Sequence, residues 1–148
     1  MKLPARPGPK PSWSRHNVSA TSTEATPTPA TRYVAVTFDC PDPYELARFY
    51  GAALDLPVAY STDDFVLLGR NGAPGLGFSR LAEYQRPTWP DPTQEKRAHI
   101  ELGVDDLDAT QARLLALGAT EPPAQPQPDR WRVLLDPAGH PFCINTGV

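Results

Sequence analysis

The sequence predicts an α+β domain made of two βαβββ modules, and three observations carry that prediction. An alternating stretch, Tyr33 to Asp39, runs into a helix start at Asp42-Pro43. A second such stretch, residues 98–104, runs into Asp105-Asp106. The two halves also align at nearly constant spacing: Asp42 and Asp106 lie 64 positions apart, as do Ala35 and His99, while Phe65 and Trp131 lie 66 apart. A difference of two is ordinary loop variation, and self-similarity of this kind is how a repeated module shows itself in sequence.

In the first strand Val34, Val36 and Phe38 share one face, with Tyr33, Ala35, Thr37 and Asp39 on the other. Asp42 is the expected N-cap, with Pro43 at the first helical position and Glu45 in the first turn. The helix is expected to run to about Leu54, with Leu46, Phe49, Tyr50 and Ala53 on its apolar stripe. Three strands follow near 57–61, 65–69 and 75–79, separated by Asp63-Asp64 and Asn71-Gly72 turns. Residues 81–97, with Pro87, Pro90 and Pro92, form an extended arm between the modules.

The second module repeats the plan. A strand over 98–104 precedes a helix from about Leu107 to Leu117, closed by Gly118 as the residue past the cap. The Pro-rich stretch 122–128 is a short strand or loop. Strands at 131–135 and 141–146 flank the turn Asp136-Pro137-Ala138-Gly139. The spacing of 66 pairs Leu76 with Phe142, Gly77 with Cys143 and Phe78 with Ile144.

The expected organisation is a disordered tail over 1–31 and one domain over 32–148: module one at 32–80, the arm at 81–97 and module two at 98–148. The tail is rich in Pro, Ser, Thr and Ala, with too little apolar surface to offset its ordering entropy. Charge is divided unevenly. The first 31 residues hold four basic residues against Glu24, and the remainder holds ten basic against sixteen acidic. An acidic domain argues against nucleic acid as partner. No apolar run nears the roughly 20 residues that span a bilayer, and the N-terminus has no apolar signal core, so a cytoplasmic protein without membrane contact is expected. Cys40 and Cys143 are too few for a disulfide framework and are read as thiols.

Four pieces of sequence resemble the vicinal oxygen chelate superfamily of glyoxalases, bleomycin-resistance proteins and extradiol dioxygenases, over about residues 33–147. They are the Asp42-Pro43 helix with its Phe49-Tyr50 pair, His99 to Val104 followed by Asp106-Leu107-Asp108, the Leu117-Gly118-Ala119 helix end, and Asp136-Pro137-Ala138-Gly139-His140-Pro141-Phe142. The resemblance implies a cup-shaped, eight-stranded mixed sheet with helices on its convex side. It also implies a homodimer, expected through the arm, and leaves the reaction open, because this fold hosts isomerases, dioxygenases, lyases and non-catalytic binders.

In metal-using members a ligand comes from the first and the last strand of each module. Those places fall here on Ala35 and Gly77, then on His99 and Cys143. Only two of the four can coordinate, whereas a catalytic metal wants three protein ligands and an open position. This argues against glyoxalase I activity, and no metal or other cofactor is expected. Gly77 and Ala35 are expected to leave room in their half of the cup.

The leading expectation is therefore a small-molecule binder without a catalytic metal. Its ligand would meet Tyr33, Ala35, Thr37, Gly77, Ser79, His99, Glu101, Trp131 and Cys143 on the concave side. Two alternatives stay open. In one, a lyase or isomerase uses His99 with Glu101 for proton transfer. In the other, Glu101 joins His99 and Cys143 around a metal, as in a glyoxalase- or dioxygenase-type enzyme. His140 is read as a turn residue satisfying backbone groups, Trp89 as a lid or interface anchor, and Arg86 and Arg97 as solvated charges.

Overall fold

The computed structural model describes residues 31–89, 91, 93, 94 and 97–147. Its contacts divide the chain between Thr31 and Arg32. The tail expected over 1–31 lies, Thr31 apart, outside the described residues.

The described residues form seven strands and two helices. Module one contains β1 (Ala35–Cys40), α1 (Pro43–Leu54), β2 (Val58–Thr62), β3 (Phe65–Leu68) and β4 (Gly75–Arg80). Its sheet has the order β1-β4-β3-β2, with β1 parallel to β4 and the other pairs antiparallel. Module two contains β5 (Ile100–Gly103), α2 (Leu107–Ala116), β6 (Trp131–Leu135) and β7 (Pro141–Asn145). Its sheet has the order β5-β7-β6, with β5 parallel to β7.

Two four-stranded sheets were expected to give eight strands, and the second sheet holds three. Over 122–128 only two isolated bridges form nearby, Thr120 to Leu135 and Gln127 to Trp131. The cause is local: Pro122, Pro123, Pro126 and Pro128 have no N–H to donate to a ladder. The Gln125 side chain does part of that work, accepting from Val133 N at 2.8 Å and donating to Val133 O at 2.7 Å.

Both helices start as their caps dictate. Asp42 accepts from the backbone N–H groups of Tyr44 and Glu45 at 2.9 and 3.4 Å, and Asp106 accepts from that of Ala109 at 2.9 Å. Gly118 follows α2 at φ +111°, a left-handed conformation that favours glycine, while the Ala119 N–H returns to Leu114 O.

One apolar core serves both modules. From α1, Tyr50 stacks on Phe78 of β4 at 5.5 Å and meets Phe142 of β7 edge-on at 6.2 Å, while Phe49 lies 5.9 Å from Phe142. Leu46, Val66, Leu68, Leu114, Leu134 and Ile144 are also in its buried part. Burying a side chain of this size is worth about 1.5–3 kcal/mol, so α1 joins the modules as well as covering its own sheet.

Candidate functional site

The strand register repeats between the modules residue for residue. In module one Thr37 lies opposite Gly77, and Gly77 opposite Leu67. In module two Glu101 lies opposite Cys143, and Cys143 opposite Val133. Each pair is related by the same 64- and 66-residue spacings. Directly opposed residues share a sheet face, so Glu101, Cys143 and Val133 share one, with Gly103, Asn145 and Trp131 alternating along it. Ile100, Leu102, Phe142 and Ile144 turn the other way, into the core.

His99 stands one residue before β5 and is largely enclosed, its side chain 14% exposed. Its Nε2 lies 2.9 Å from Glu101 Oε1 and its Nδ1 3.3 Å from Arg97 O. The other carboxylate oxygen, Oε2, accepts from Asn145 Nδ2 at 3.1 Å. A carboxylate only accepts, so the Nε2 contact uses a hydrogen on the imidazole. The Trp89 ring stacks on His99 at 5.4 Å. One donor atom each from His99, Glu101 and Cys143 falls within a mutual distance of 4.8 Å. Cys143 is buried, and neither Cys40 nor Cys143 is part of a disulfide.

The first module presents no such set. Ala35 and Ser79 are half-buried, Thr37 is exposed, and Tyr33 is 66% exposed ahead of β1. Gly77 does not leave the room expected of it: a Cβ there would sit 2.6 Å from Thr37 Oγ1 and 3.1 Å from the Phe65 ring. The space is filled by a neighbour's side chain. Trp131, opposite Asn145, lies on the same face as Glu101. The structure thus brings His99, Glu101 and Cys143 together, with Trp131 one pair along, whereas Ala35, Thr37, Gly77 and Ser79 belong to the other sheet and Tyr33 precedes it. Two cavities, of about 780 and 350 Å³, are lined by none of these nine residues.

A second polar group went unread in the sequence. Asp136, 2% exposed, accepts from the backbone N–H groups of Ala138 and His140 at 2.9 Å and from Tyr50 Oη at 3.0 Å. His140 Nδ1 lies 3.0 Å from its Oδ2, and His140 Nε2 lies 3.1 Å from Tyr84 Oη. The backbone work expected of His140 is therefore done by Asp136, and the histidine is the aspartate's partner. Their i, i+4 spacing across a Pro-Ala-Gly turn was the available signal. Burial, reinforced by the Asp136 charge, pushes the Tyr84 hydroxyl up to about 12 and raises that of Tyr50 well above its ordinary value. Burial likewise pushes the Cys40 thiol up to about 11, which keeps it protonated and unreactive.

Paired modules of this topology, with a polar cluster on the second sheet, define a class that comparison with known proteins identifies. A family model described as a glyoxalase-like domain matches residues 35–145. The chain belongs to this glyoxalase-like family, within the vicinal oxygen chelate superfamily. No curated protein sequence matches it.

Among solved structures it is similar to a glyoxalase/bleomycin resistance protein/dioxygenase family enzyme from Burkholderia phytofirmans. Identity there is 22% and the TM-score 0.56, over 78% of this chain and 98% of that one. It is also similar to glyoxalase I from Leishmania major, with 16% identity and a TM-score of 0.57 over 78% and 86% of the chains. A third is a fosfomycin resistance protein from Listeria monocytogenes solved with Mn(II), with 16% identity and a TM-score of 0.59 over 82% and 93%. At these identities the likeness is one of fold. Among the described residues no helix is long and apolar enough to cross a membrane.

Proposed function

We propose that this chain binds a small organic molecule on its concave sheet faces, with His99 and Glu101 as the polar anchor. The observation that supports this reading is the 2.9 Å contact between His99 Nε2 and Glu101 Oε1, with Asn145 holding the other carboxylate oxygen. A pair oriented in this way can present a fixed donor and acceptor to a ligand, and can hold or move one proton at Nε2. Around it Trp131 supplies apolar surface, with Val133 and Cys143 buried on the same face, and Thr37, Ala35, Gly77, Ser79 and Tyr33 are the first module's contribution. The test is mass spectrometry of small molecules copurifying with the wild type, Glu101→Gln and His99→Ala proteins. A compound retained by the wild type and lost with Glu101→Gln is expected. Retention unchanged in both variants sinks the reading. If His99→Ala keeps the compound but stops its conversion, proton transfer is the function.

A second reading is favoured by the three donor atoms within 4.8 Å. Ala35 and Gly77 offer no ligand, so a metal would be held by module two alone, through His99, Glu101 and Cys143. Three protein ligands of N, O and S type fit a divalent ion such as zinc, leaving an open position. Such an ion would supply Lewis acidity. Metal analysis of protein purified without chelators decides it: stoichiometric metal that falls with Cys143→Ser supports the reading, and none overturns it. Assembly as a homodimer is part of the same proposal, checked by light scattering against twice the 16.2 kDa chain mass.

A further inference from the structure

The larger cavity, about 780 Å³, lies beside the β5–β7 cluster, between the arm and the ends of β1 and β7. Its walls include Phe38, Arg86, Trp89, Arg97, His140 and Pro141, and none of His99, Glu101 or Cys143. We propose that this cavity is a second binding site, for a small planar organic anion of the aryl or heteroaryl carboxylate class. The carboxylate would sit on Arg97 and Arg86, and the ring against the aromatic walls.

Size and charge both point this way. The volume falls in the roughly 300–1,000 Å³ range of small-molecule sites. Two guanidinium groups, those of Arg86 and Arg97, line it, and they complement negative charge. A guanidinium fork matches a carboxylate bidentately and also stacks on flat rings.

Three of the walls are held in place by neighbours outside the cavity. The Arg86 stem lies across Gly139, whose absent Cβ would fall 3.1 Å from Arg86 Cδ, and its Nη2 donates to Pro137 O at 3.1 Å. A guanidinium has five N–H donors, so this anchor leaves others for a ligand. His140 is fixed by Asp136 and Tyr84 and packs against Phe38 at 5.2 Å. Trp89 is stacked on His99, which makes its ring the partition between this cavity and the β5–β7 cluster. Walls that are ordered before binding reduce the entropy a ligand must overcome.

The experiment is calorimetric titration of the full chain with benzoate, 4-hydroxybenzoate and indole-3-carboxylate, with benzamide as the neutral match. Saturable 1:1 binding of at least one carboxylate is expected, with benzamide about 10-fold weaker or more. Arg97 is exposed, so Arg97→Gln should fold normally and weaken carboxylate binding about 10-fold. Trp89→Leu should weaken carboxylate and benzamide alike. No binding of any carboxylate up to about 10 mM, or equal affinity in Arg97→Gln, overturns the proposal. So does a loss with Glu101→Gln equal to that with Arg97→Gln, which would place the ligand on the β5–β7 face instead.

Discussion

The two modules share one register and differ in what they do with it. The hairpin turn before the last strand shows this most plainly. In module one it starts at Arg70, and in module two, 66 positions on, at Asp136. Both turns close through a backbone bond, from Ala73 N to Arg70 O and from Gly139 N to Asp136 O. Arg70 stays at the surface, its side chain 55% exposed, and reaches back to Asp55 within its own module. Asp136 is buried and takes a hydrogen bond from Tyr50 of the other module. The same contrast separates Thr37 opposite Gly77 from Glu101 opposite Cys143. Both halves share one register, and the second places His99, Glu101 and Cys143 where the first has Ala35, Thr37 and Gly77.

The sharpest way to break the comparison is Asp136→Ala. It strands two backbone N–H groups, the Tyr50 hydroxyl and the His140 ring in a buried place, and should cost about 3–5 kcal/mol. The urea midpoint measures it, and a loss below about 1 kcal/mol would mean that the buried turn is no more important than the exposed one.

The same neighbourhood predicts alkaline sensitivity. Folded Cys40 ionises at about 11 against an ordinary 9.0, and folded Tyr84 at about 12 against 10.0. Raised values favour the protonated, folded form. Their contribution is complete below about pH 9, and is lost as pH climbs through 11 and 12. The melting temperature should fall steadily above pH 9 in the wild type. Cys40→Ala should flatten the earlier part of that decline, and an unchanged slope would remove the thiol from the account.

Giving module one the second module's residue, Gly77→Cys, should cost about 1–3 kcal/mol, because the added side chain meets Thr37 and Phe65. Combining it with Phe65→Leu should recover part of the loss. Full tolerance of Gly77→Cys alone would mean that the first sheet's face is open after all.

How far the sequence shows all this depends on the range of the interaction. The helices were legible because Asp42, Asp106 and Gly118 act within a turn of the residues they cap. The correspondence of Gly77 with Cys143 was legible because a constant spacing relates positions in one module to positions in the other, whereas the pairing of Glu101 with Cys143 across two strands was not. The missing eighth strand was half legible, since four prolines in seven residues weaken a ladder without saying what replaces it. The link from Tyr50 to Asp136 spans 86 positions, and neither residue's local pattern announces the other. Trp89 over His99 and the arm's cavity were hidden for the same reason: an irregular segment has no period from which to read its partners.

Arg70→Ala supplies the smallest effect and the cleanest control on the opening contrast. Its ion pair with Asp55 spans 2.7 Å, but the Asp55 side chain is 98% exposed. Water screens such a pair, so its loss should cost about 0–1 kcal/mol. Asp55 holds a left-handed backbone at φ +53° just past α1, and Arg70 also donates to its carbonyl. If that second contact holds the turn, Arg70→Lys, which keeps the charge but loses the fork, should unfold at the same urea concentration as Arg70→Ala. Recovery of wild-type stability with lysine would show that charge, and not the tie to the carbonyl, is what the exposed turn contributes.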